Sequence, residues 1–286
     1  MKIAVFPNAL RDTAFTYTKQ LITHIRRKGG VSLMLPEMKE HVDLPGVKYV
    51  ESLHEDADLL ICLGGDGTFL SSLNLPGWQN VPTIGVNLGS VGFLPQIMPE
   101  RLEAAIDQLF AREYVIEERM MLSATAVDAG GRVIHQQRAL NDIVLGRGLS
   151  GRIVTISLQI DEEMVERVPG DGLIVSSPTG STAYALSAGG PIVHPGVQLL
   201  LITPICPHSL HNRSYIASED SYIRLSIDWY PEPAIVSVDG QTNFPLSHGE
   251  YLDIRRAEDV FRLIRLGGNR FYETLSAKIQ QRGTTA

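Results

Sequence analysis

A glycine-rich turn that carries one carboxylate is the strongest chemical signal in the sequence. The apolar run Leu59–Leu63 passes directly into Gly-Gly-Asp-Gly-Thr at residues 64–68. Such a run, ended by turn residues, is typical of a buried strand, and open α/β sheets bind ligands at the carboxyl ends of their strands. Glycines let the backbone turn sharply and leave N–H groups able to face phosphate oxygens. Asp66 would then act as a proton acceptor or bind a metal beside those phosphates; a tight structural turn is the alternative.

Three better-known phosphate-binding patterns are absent from the sequence. The third glycine of a dinucleotide-binding fingerprint would stand where the chain has Leu70, and no Gly-Lys-Ser or Gly-Lys-Thr of a P-loop occurs. No lysine stands between Lys48 and Lys278, so the segment around the turn has no phosphate-binding lysine of the protein-kinase kind. We therefore expect arginine, backbone N–H groups or a metal ion to offset phosphate charge, with Mg²⁺ or another divalent metal ion as cofactor.

Two further segments place polar side chains beside strand-like runs. Asp171 opens a run that ends at Ser176, and Pro-Thr-Gly-Ser-Thr-Ala-Tyr follows at 178–184. The hydroxyl groups can cap a helix and hydrogen-bond ribose or phosphate, and Tyr184 offers a ring for base stacking; a well-capped structural helix explains the same residues. The pair Asn141-Asp142 precedes another strand-like run. It can bind a ribose diol or an adenine edge, although alone it also fits a simple turn.

The elements around these motifs predict two domains of different class. Strands and helices alternate up to Glu118, which is typical of a parallel sheet covered by helices. Short strand-like segments separated by turn residues follow, which indicates a β-rich part. We expect an α/β domain at residues 1–118 and a β-rich domain at 119–264, with a helical tail from about residue 265 to 286 that packs back on the first domain. The strands and helices expected in the α/β domain are Lys2–Phe6, Phe15–Arg27, Val31–Leu35, Leu59–Leu63, Thr68–Leu75, Thr83–Asn87 and Arg101–Arg112.

Composition limits the classes of function. The chain has 286 residues, 44% of them hydrophobic, and a formal net charge of -7, which argues against a general nucleic-acid binder. Cys62 and Cys206 stand in apolar stretches and are expected to be buried free thiols in a reducing compartment, with their pairing left open. The N-terminal apolar run is too short for a signal peptide, and Val197–Ile202 is too short to span a bilayer. We therefore expect a cytoplasmic protein with neither membrane nor nucleic-acid partners.

Taken in their order along the chain, the motifs resemble those of the bacterial NAD kinase family. The resemblance extends from Phe6 to the region of Asp239. Gly-Gly-Asp-Gly alone is shared with diacylglycerol, sphingosine and 6-phosphofructokinases, whereas Pro-Thr-Gly-Ser-Thr-Ala-Tyr makes the match specific. The motifs that carry it are Gly-Gly-Asp-Gly-Thr at 64–68, Asn141-Asp142, Asp171-Gly172, Thr-Gly-Ser-Thr-Ala-Tyr at 179–184 and Asp239-Gly240-Gln241.

The resemblance implies a phosphotransferase that acts on an alcohol. An NAD kinase transfers the terminal phosphate of ATP, or of polyphosphate, to the 2′-hydroxyl of the adenosine ribose of NAD and so makes NADP. Asp66 matches the family's proton acceptor, and Gly67 beside it contacts the dinucleotide. Arg152 stands where the family often has a polar or basic contact residue. The other NAD-binding positions of the family fall on Asn141, Asp142, Asp171, Thr179, Thr182, Ala183, Tyr184, Ala185, Leu186, Ser187 and Gln241.

The resemblance also implies an architecture and leaves some points open. The implied fold is an α/β N-terminal domain with a β-sandwich-like C-terminal domain, assembled as a homodimer or homotetramer. Pro169 and Ser71 depart from common family patterns, which leaves phosphate and donor contacts open. The metal ligands, the choice between ATP and polyphosphate, and the preference for NAD or NADH stay open as well.

Two other functions are compatible with parts of the motif set. A lipid kinase of the diacylglycerol or sphingosine type would need an apolar slot and a membrane-facing patch, and the acidic chain and the Pro-Thr-Gly-Ser-Thr-Ala-Tyr motif argue against it. A non-catalytic NAD(P)-binding sensor would keep the dinucleotide contacts without needing a base at Asp66.

Overall fold

A computed structural model of the chain describes residues 1–54, 56–89, 92–148, 151–209, 213–267 and 271–283. The chain divides into two compact units: the first is Met1–Glu118 with Phe261–Ala286, and the second is Arg119–Val260. The helices are α1 Thr16–Arg27, α2 Asp66–Ser71, α3 Leu102–Phe110, α4 Tyr184–Ser187 and α5 Phe271–Gly283. The strands are β1 Lys2–Pro7, β2 Val31–Met34, β3 Val47–Tyr49, β4 Leu59–Gly64, β5 Thr83–Asn87, β6 Tyr114–Val127, β7 Val133–Ala139, β8 Asp142–Gly146, β9 Val154–Ile160, β10 Glu163–Gly170, β11 Gly172–Ser176, β12 Leu199–Ile205, β13 Tyr215–Ser218, β14 Ile223–Ile227, β15 Ala234–Val238, β16 Thr242–Leu246 and β17 Tyr251–Leu266.

The first unit is built on a parallel sheet in the order β3-β2-β1-β4-β5, with the end of β17 beside β5. Every residue of β4 is buried, as expected for a central parallel strand covered on both faces. Helices α1 and α3 contribute Leu21, Ile25, Ile106 and Leu109 to the same core. The carboxyl ends of β1, β4 and β5 therefore lie at one edge of the sheet, and the glycine turn follows β4 there.

The second unit contains two antiparallel sheet regions. One has the order β10-β9-β14 followed by the first part of β17, and the other has the order β13-β12-β11-β8-β15-β16. Alternate residues of β14 and β15 are buried, the pattern of a strand with one face on the core. Leu158 and Leu225 of the first region share a core with Ile143 and Val175 of the second. The expected pairing of an α/β part with a β-sandwich-like part is confirmed.

Several elements differ from those expected. No strand was expected at the positions of β3, β12, β13 and β16. β16 contains Pro245; proline is tolerated on an edge strand, and β16 ends its sheet. The helix after the glycine turn begins at Asp66 rather than Thr68 and ends as a 3₁₀ turn at Ser72–Asn74. Asp66 and Gly67 are therefore the first residues of α2.

The cysteines are both free, but only one is buried. Burial raises the pKa of the Cys62 thiol to about 12. Cys206 is exposed because it directly follows the last residue of β12, where the chain leaves the sheet with a φ of 44°. The expectation of two buried thiols is wrong for Cys206. Within the described ranges, no helix has the length and apolar character needed to cross a membrane.

Candidate active site

The Asp66 carboxylate is oriented by the backbone of the loop that follows β5. Oδ1 accepts a hydrogen bond from the N–H of Leu94 at 3.1 Å, and Oδ2 accepts one from the N–H of Phe93 at 3.3 Å. Gly92 permits this approach, because a Cβ there would lie 2.5 Å from Oδ1. The Asp66 side chain is still 35% exposed. The carboxylate is therefore held in one direction and open to a ligand.

Neighbouring strand ends hold the glycine turn. A Cβ on Gly64 would lie 2.2 Å from Oγ1 of Thr68, so only glycine lets these two residues pack. Asn8, which follows β1, donates from Nδ2 to the same Oγ1 at 2.8 Å. Around Gly65 and Gly67, the point a Cβ would occupy has no heavy atom of the described residues within 4 Å apart from the adjoining backbone. The backbone of the turn is open to a ligand at these two residues.

A lysine from the C-terminal helix reaches this turn. Nζ of Lys278, on α5, lies 3.6 Å from Oδ2 of Asp66 and 4.1 Å from the centre of the Phe93 ring. Lys278 was not expected at the turn, because it lies far along the chain from residues 64–68. No signal in the local sequence pairs residue 278 with residue 66; the packing of α5 does so.

In the second unit, the turn between β15 and β16 holds the Asn141-Asp142 pair. Oδ1 of Asp239 accepts the N–H groups of Asn141 at 2.8 Å and Asp142 at 3.0 Å, and Oδ2 accepts the N–H of Leu140 at 2.8 Å. Asp239 and Gly240 have φ values of 50° and 64°, the left-handed values that the two central residues of a type I′ turn require; the turn lies within the three residues that join β15 to β16. Asp239 belongs to a motif that carries the family resemblance, but no role at the site was expected of it.

Asp142 is a buried carboxyl beside another carboxyl. Its residue is 5% exposed. Burial, and next the charge of Asp239, raise the pKa of Asp142 to about 7, while a hydrogen bond from the N–H of Tyr184 acts in the opposite direction. Burial also raises the pKa of Asp239. Because two close buried carboxyls disfavour double ionisation, Asp142 can hold or release a proton near neutral pH.

The segment from Ser176 to Tyr184 packs directly on the same pair. The N–H of Ser177 donates to the carbonyl of Asn141 at 2.8 Å, and a Cβ on Gly180 would lie 2.0 Å from that carbonyl oxygen. The expected capped helix is a 3₁₀ turn, Thr179–Thr182, followed by the short α4, and neither has a side-chain cap. The hydroxyl of Thr179 instead accepts a hydrogen bond from Nη1 of Arg119 at 3.2 Å.

Family models match both parts of the chain. The model of the ATP-NAD kinase N-terminal domain matches residues 8–114, and that of the ATP-NAD kinase C-terminal domain matches residues 140–266. A protein of Ruminiclostridium cellulolyticum named NAD kinase is 39% identical over 283 residues, which cover 98% of each chain. The chain belongs to the ATP-NAD kinase family. The resemblance seen in the sequence is thereby confirmed.

Solved structures of the family share the fold. The crystal structure of yeast NADH kinase complexed with NADH matches with a TM-score of 0.89 at 25% identity, covering 98% of this chain and 87% of that one. The structure of an NAD kinase from Archaeoglobus fulgidus in complex with ATP matches with a TM-score of 0.74 at 24% identity, covering 98% and 99%.

The remaining residues at family positions lie in different surroundings. Asp171 forms an ion pair with Nε of Arg147 at 2.9 Å. The N–H of Gln241 closes the Asp239 turn on the carbonyl of Val238 at 2.9 Å. Tyr184 is exposed, and its N–H donates a hydrogen bond to the Asp142 carboxyl. Burial, and then the nearby charges of Cys206, Asp171 and Asp142, raise the pKa of the Tyr184 hydroxyl.

The other family positions are those at residues 182–187, next to the 3₁₀ turn, and Arg152, in a separate segment. Ala185 is buried, and Ser187 is exposed. Thr182, Ala183 and Leu186, in the same segment, are half-buried. Arg152 lies on the exposed segment that leads into β9, where its carbonyl accepts a hydrogen bond from the hydroxyl of Tyr230 at 3.0 Å. The structure brings Asn141, Asp142, Tyr184 and the Asp239 turn together; ligand contact by these residues and by Arg152 stays a prediction.

The described part of the chain has no cluster of side chains that could bind a divalent metal by itself. No group of three or more His, Cys, Asp or Glu side chains that could hold a metal occurs there. Magnesium does not need one, because it is commonly bound through one or two carboxylates together with substrate phosphates. Asp66, at the open turn, is the carboxylate that fits a metal carried by the phosphates of a nucleotide.

Proposed function

We propose that the protein is an NAD kinase, which transfers the terminal phosphate of ATP or polyphosphate to the 2′-hydroxyl of the adenosine ribose of NAD and so makes NADP. The observation that carries the proposal is the Asp66 carboxylate. It is aimed by two backbone N–H groups and remains 35% exposed in the glycine turn of a member of the ATP-NAD kinase family. The NADH and ATP named with the yeast and Archaeoglobus fulgidus structures support the choice of substrates.

Asp66 is proposed as the general base. A ribose hydroxyl is a poor nucleophile near neutral pH, and a positioned carboxylate that takes its proton in the transition state accelerates the reaction on the order of 10²–10⁴-fold. Each oxygen of an ionised carboxylate has two lone pairs. The hydrogen bonds from Leu94 and Phe93 therefore leave acceptor capacity for the proton of the ribose hydroxyl.

The second unit is proposed to bind the dinucleotide. A ribose diol both donates and accepts hydrogen bonds, and Asp142, with its pKa raised to about 7, can match either role. Asn141 supplies an amide with both donor and acceptor atoms, and the exposed ring of Tyr184 suits base stacking. The further proposed NAD contacts are Gly67, Arg152, Asp171, Thr179, Thr182, Ala183, Ala185, Leu186, Ser187 and Gln241.

The domain roles, cofactor and assembly belong to the same proposal. Residues 1–118, with the tail from about 265 to 286, would carry the glycine turn, and residues 119–264 would carry the dinucleotide site. Mg²⁺ bound to the donor phosphates would supply charge neutralisation during transfer.

The assembly is proposed to be a homodimer or homotetramer. Apolar side chains are exposed on the outer strands β10 and β13, Met164 and Ile216 among them, and such edges favour association. Light scattering would measure the number of subunits.

The direct test is incubation of the purified protein with Mg²⁺, NAD and either ATP or polyphosphate, followed by enzymatic measurement of NADP. We expect NADP with at least one donor, none without a divalent metal, and no phosphorylation of diacylglycerol or sphingosine presented in vesicles. Lipid phosphorylation without NADP would replace the proposal with a lipid kinase. Tight NAD or NADP binding without turnover would replace it with a sensor.

A further inference from the structure

The C-terminal helix is docked on the loop that orients Asp66. The ring centres of Phe271, at the start of α5, and Phe93 are 6.1 Å apart. One face of Phe93 also carries the ammonium group of Lys278 at 4.1 Å from its centre, an arrangement that attracts a cation to an aromatic ring. Two points of α5 therefore contact the residue whose backbone N–H binds Asp66, and Lys278 is placed by both.

Lys278 and Asp66 attract one another without forming a short hydrogen bond. Their charged atoms lie 3.6 Å apart, whereas charge-assisted hydrogen bonds between nitrogen and a carboxylate are about 2.7–2.9 Å long. The Lys278 side chain is 22% exposed and that of Asp66 is 35% exposed. An anionic oxygen that reached the open glycine turn could therefore approach the ammonium group as well.

A second cation lies at the same edge of the sheet. Arg11 follows β1, and its Nη1 would lie 3.4 Å from a Cβ placed on Gly89, just beyond β5. The neighbouring carboxylate of Asp12 is buried and accepts hydrogen bonds from Thr18 of α1. The loop after β5 is itself bound to the turn, because the N–H of Leu88 donates to the carbonyl of Gly64 at 2.9 Å. Arg11 beside that loop and Lys278 on α5 are therefore two cations at the sheet edge that carries the glycine turn, which suits a polyphosphate ligand.

We propose that Lys278 is a catalytic residue that binds the transferred phosphoryl group beside Asp66, an inference that rests on the NAD kinase function proposed above. In the reaction, the proton of the 2′-hydroxyl passes to Asp66 while its oxygen forms a bond to the terminal phosphorus. The bond from that phosphorus to the bridging oxygen breaks, and its electron pair stays with ADP or the shortened polyphosphate. Lys278 keeps its protons throughout and offsets the negative charge of the phosphoryl oxygens.

The test compares variants that differ in charge at residue 278. Lys278→Met removes the charge but keeps an unbranched apolar chain over Phe93, and Lys278→Arg keeps the charge. Lys39→Met, at an exposed position of the same unit, is the matched control. The measurements are kcat, KM for ATP, KM for NAD, calorimetric NAD affinity and a thermal melt; Lys278→Gln replaces the methionine variant if the latter is unfolded.

Removal of the charge is expected to lower kcat/KM for ATP on the order of 10²-fold, the effect of one lost electrostatic contact in a transition state. NAD affinity and melting temperature should change little, Lys278→Arg should recover part of the loss, and Lys39→Met should match the wild type. A wild-type kcat/KM for ATP in Lys278→Met would overturn the inference. So would parallel losses of NAD affinity and melting temperature, which would assign Lys278 to helix docking alone.

The two proposals fail in distinguishable ways. If the wild type makes no NADP with any donor, the NAD kinase function fails. The lysine contact is then decided by calorimetric titration with Mg²⁺ and ATP: weaker ATP binding by Lys278→Met than by the wild type supports a phosphate contact. Equal affinity, or no ATP binding by either protein, overturns it.

Discussion

Substitution of Asp66 by asparagine should separate catalysis from folding more sharply than any other change in the chain. Asparagine keeps one acceptor oxygen and replaces the other with an NH₂ donor. The hydrogen bond from Leu94 at 3.1 Å can be retained, whereas the one from Phe93 at 3.3 Å is lost. The loss of one such bond costs about 1 kcal/mol of folding free energy, which is a small effect at a partly exposed position.

The expected catalytic effect is much larger. An amide cannot accept the ribose proton as a general base, so kcat should fall on the order of 10²–10⁴-fold. Each factor of ten corresponds to about 1.4 kcal/mol of activation free energy, which gives about 3–5 kcal/mol. NAD affinity should stay close to that of the wild type, because the role belongs to the transition state.

The assay is NADP formation under saturating NAD and ATP, with calorimetric NAD affinity and a thermal melt for each variant. Asp56→Asn, at a side chain that is 66% exposed in the same unit, is the matched control and should behave as the wild type. If Asp66→Asn turned over at a near-wild-type rate, Asp66 would only shape the turn, and the general-base mechanism would be refuted.

Three further predictions concern the second unit and its packing. Asn141→Ala should weaken NAD binding by roughly five- to a hundred-fold, because a lost hydrogen bond to ribose or base costs on the order of 1–3 kcal/mol; calorimetry measures this. Asp142→Asn should remove a pH dependence of stability. The pKa of Asp142 is raised from 3.8 to about 7 in the folded protein, so between these pH values the folded wild type binds more protons than the unfolded chain. The unfolding free energy of the wild type should therefore fall relative to that of the variant as pH rises from 4 to 7, which urea titrations at several pH values would detect. Gly180→Ala should lower the melting temperature, because the new Cβ would lie 2.0 Å from the carbonyl of Asn141, an overpacking that typically costs about 1–3 kcal/mol.

Each of these predictions has an outcome that would contradict it. Unchanged NAD affinity in Asn141→Ala would make the pair a structural turn. Parallel stability curves for the wild type and Asp142→Asn between pH 4 and 7 would show that burial does not hold the proton on Asp142. For Gly180 the control is Gly67→Ala, at a helical glycine with open space around it; equal melting temperatures of the two alanine variants would rule out the proposed clash.

Local sequence patterns were sufficient for much of the fold. Strand β5 has the boundaries expected from the sequence, and β1 and β4 each exceed the expected range by one residue, because apolar periodicity and flanking turn residues act over the few residues that form a strand. They were insufficient for β12, whose apolar residues at Val197–Ile202 were noted without a strand assignment. Local patterns also predicted a capped helix where the structure has a 3₁₀ turn at Thr179–Thr182 without a side-chain cap. The Thr179 hydroxyl, which could have capped a helix, instead binds Arg119.

The candidate site likewise has one part that the sequence indicated and one part that only the tertiary structure determined. The glycine turn, the Asn141-Asp142 pair and their order along the chain are properties of the sequence alone, and they were enough to indicate the family. The partners of these groups come from distant parts of the chain. Asp239 binds the N–H groups of residues 140–142 across separations of 97–99 residues, and Lys278 reaches Asp66 from the C-terminal helix. A hydrogen bond or ion pair depends on distance and direction in space, and only the packed sheets and helices determine which side chains come within reach of each other.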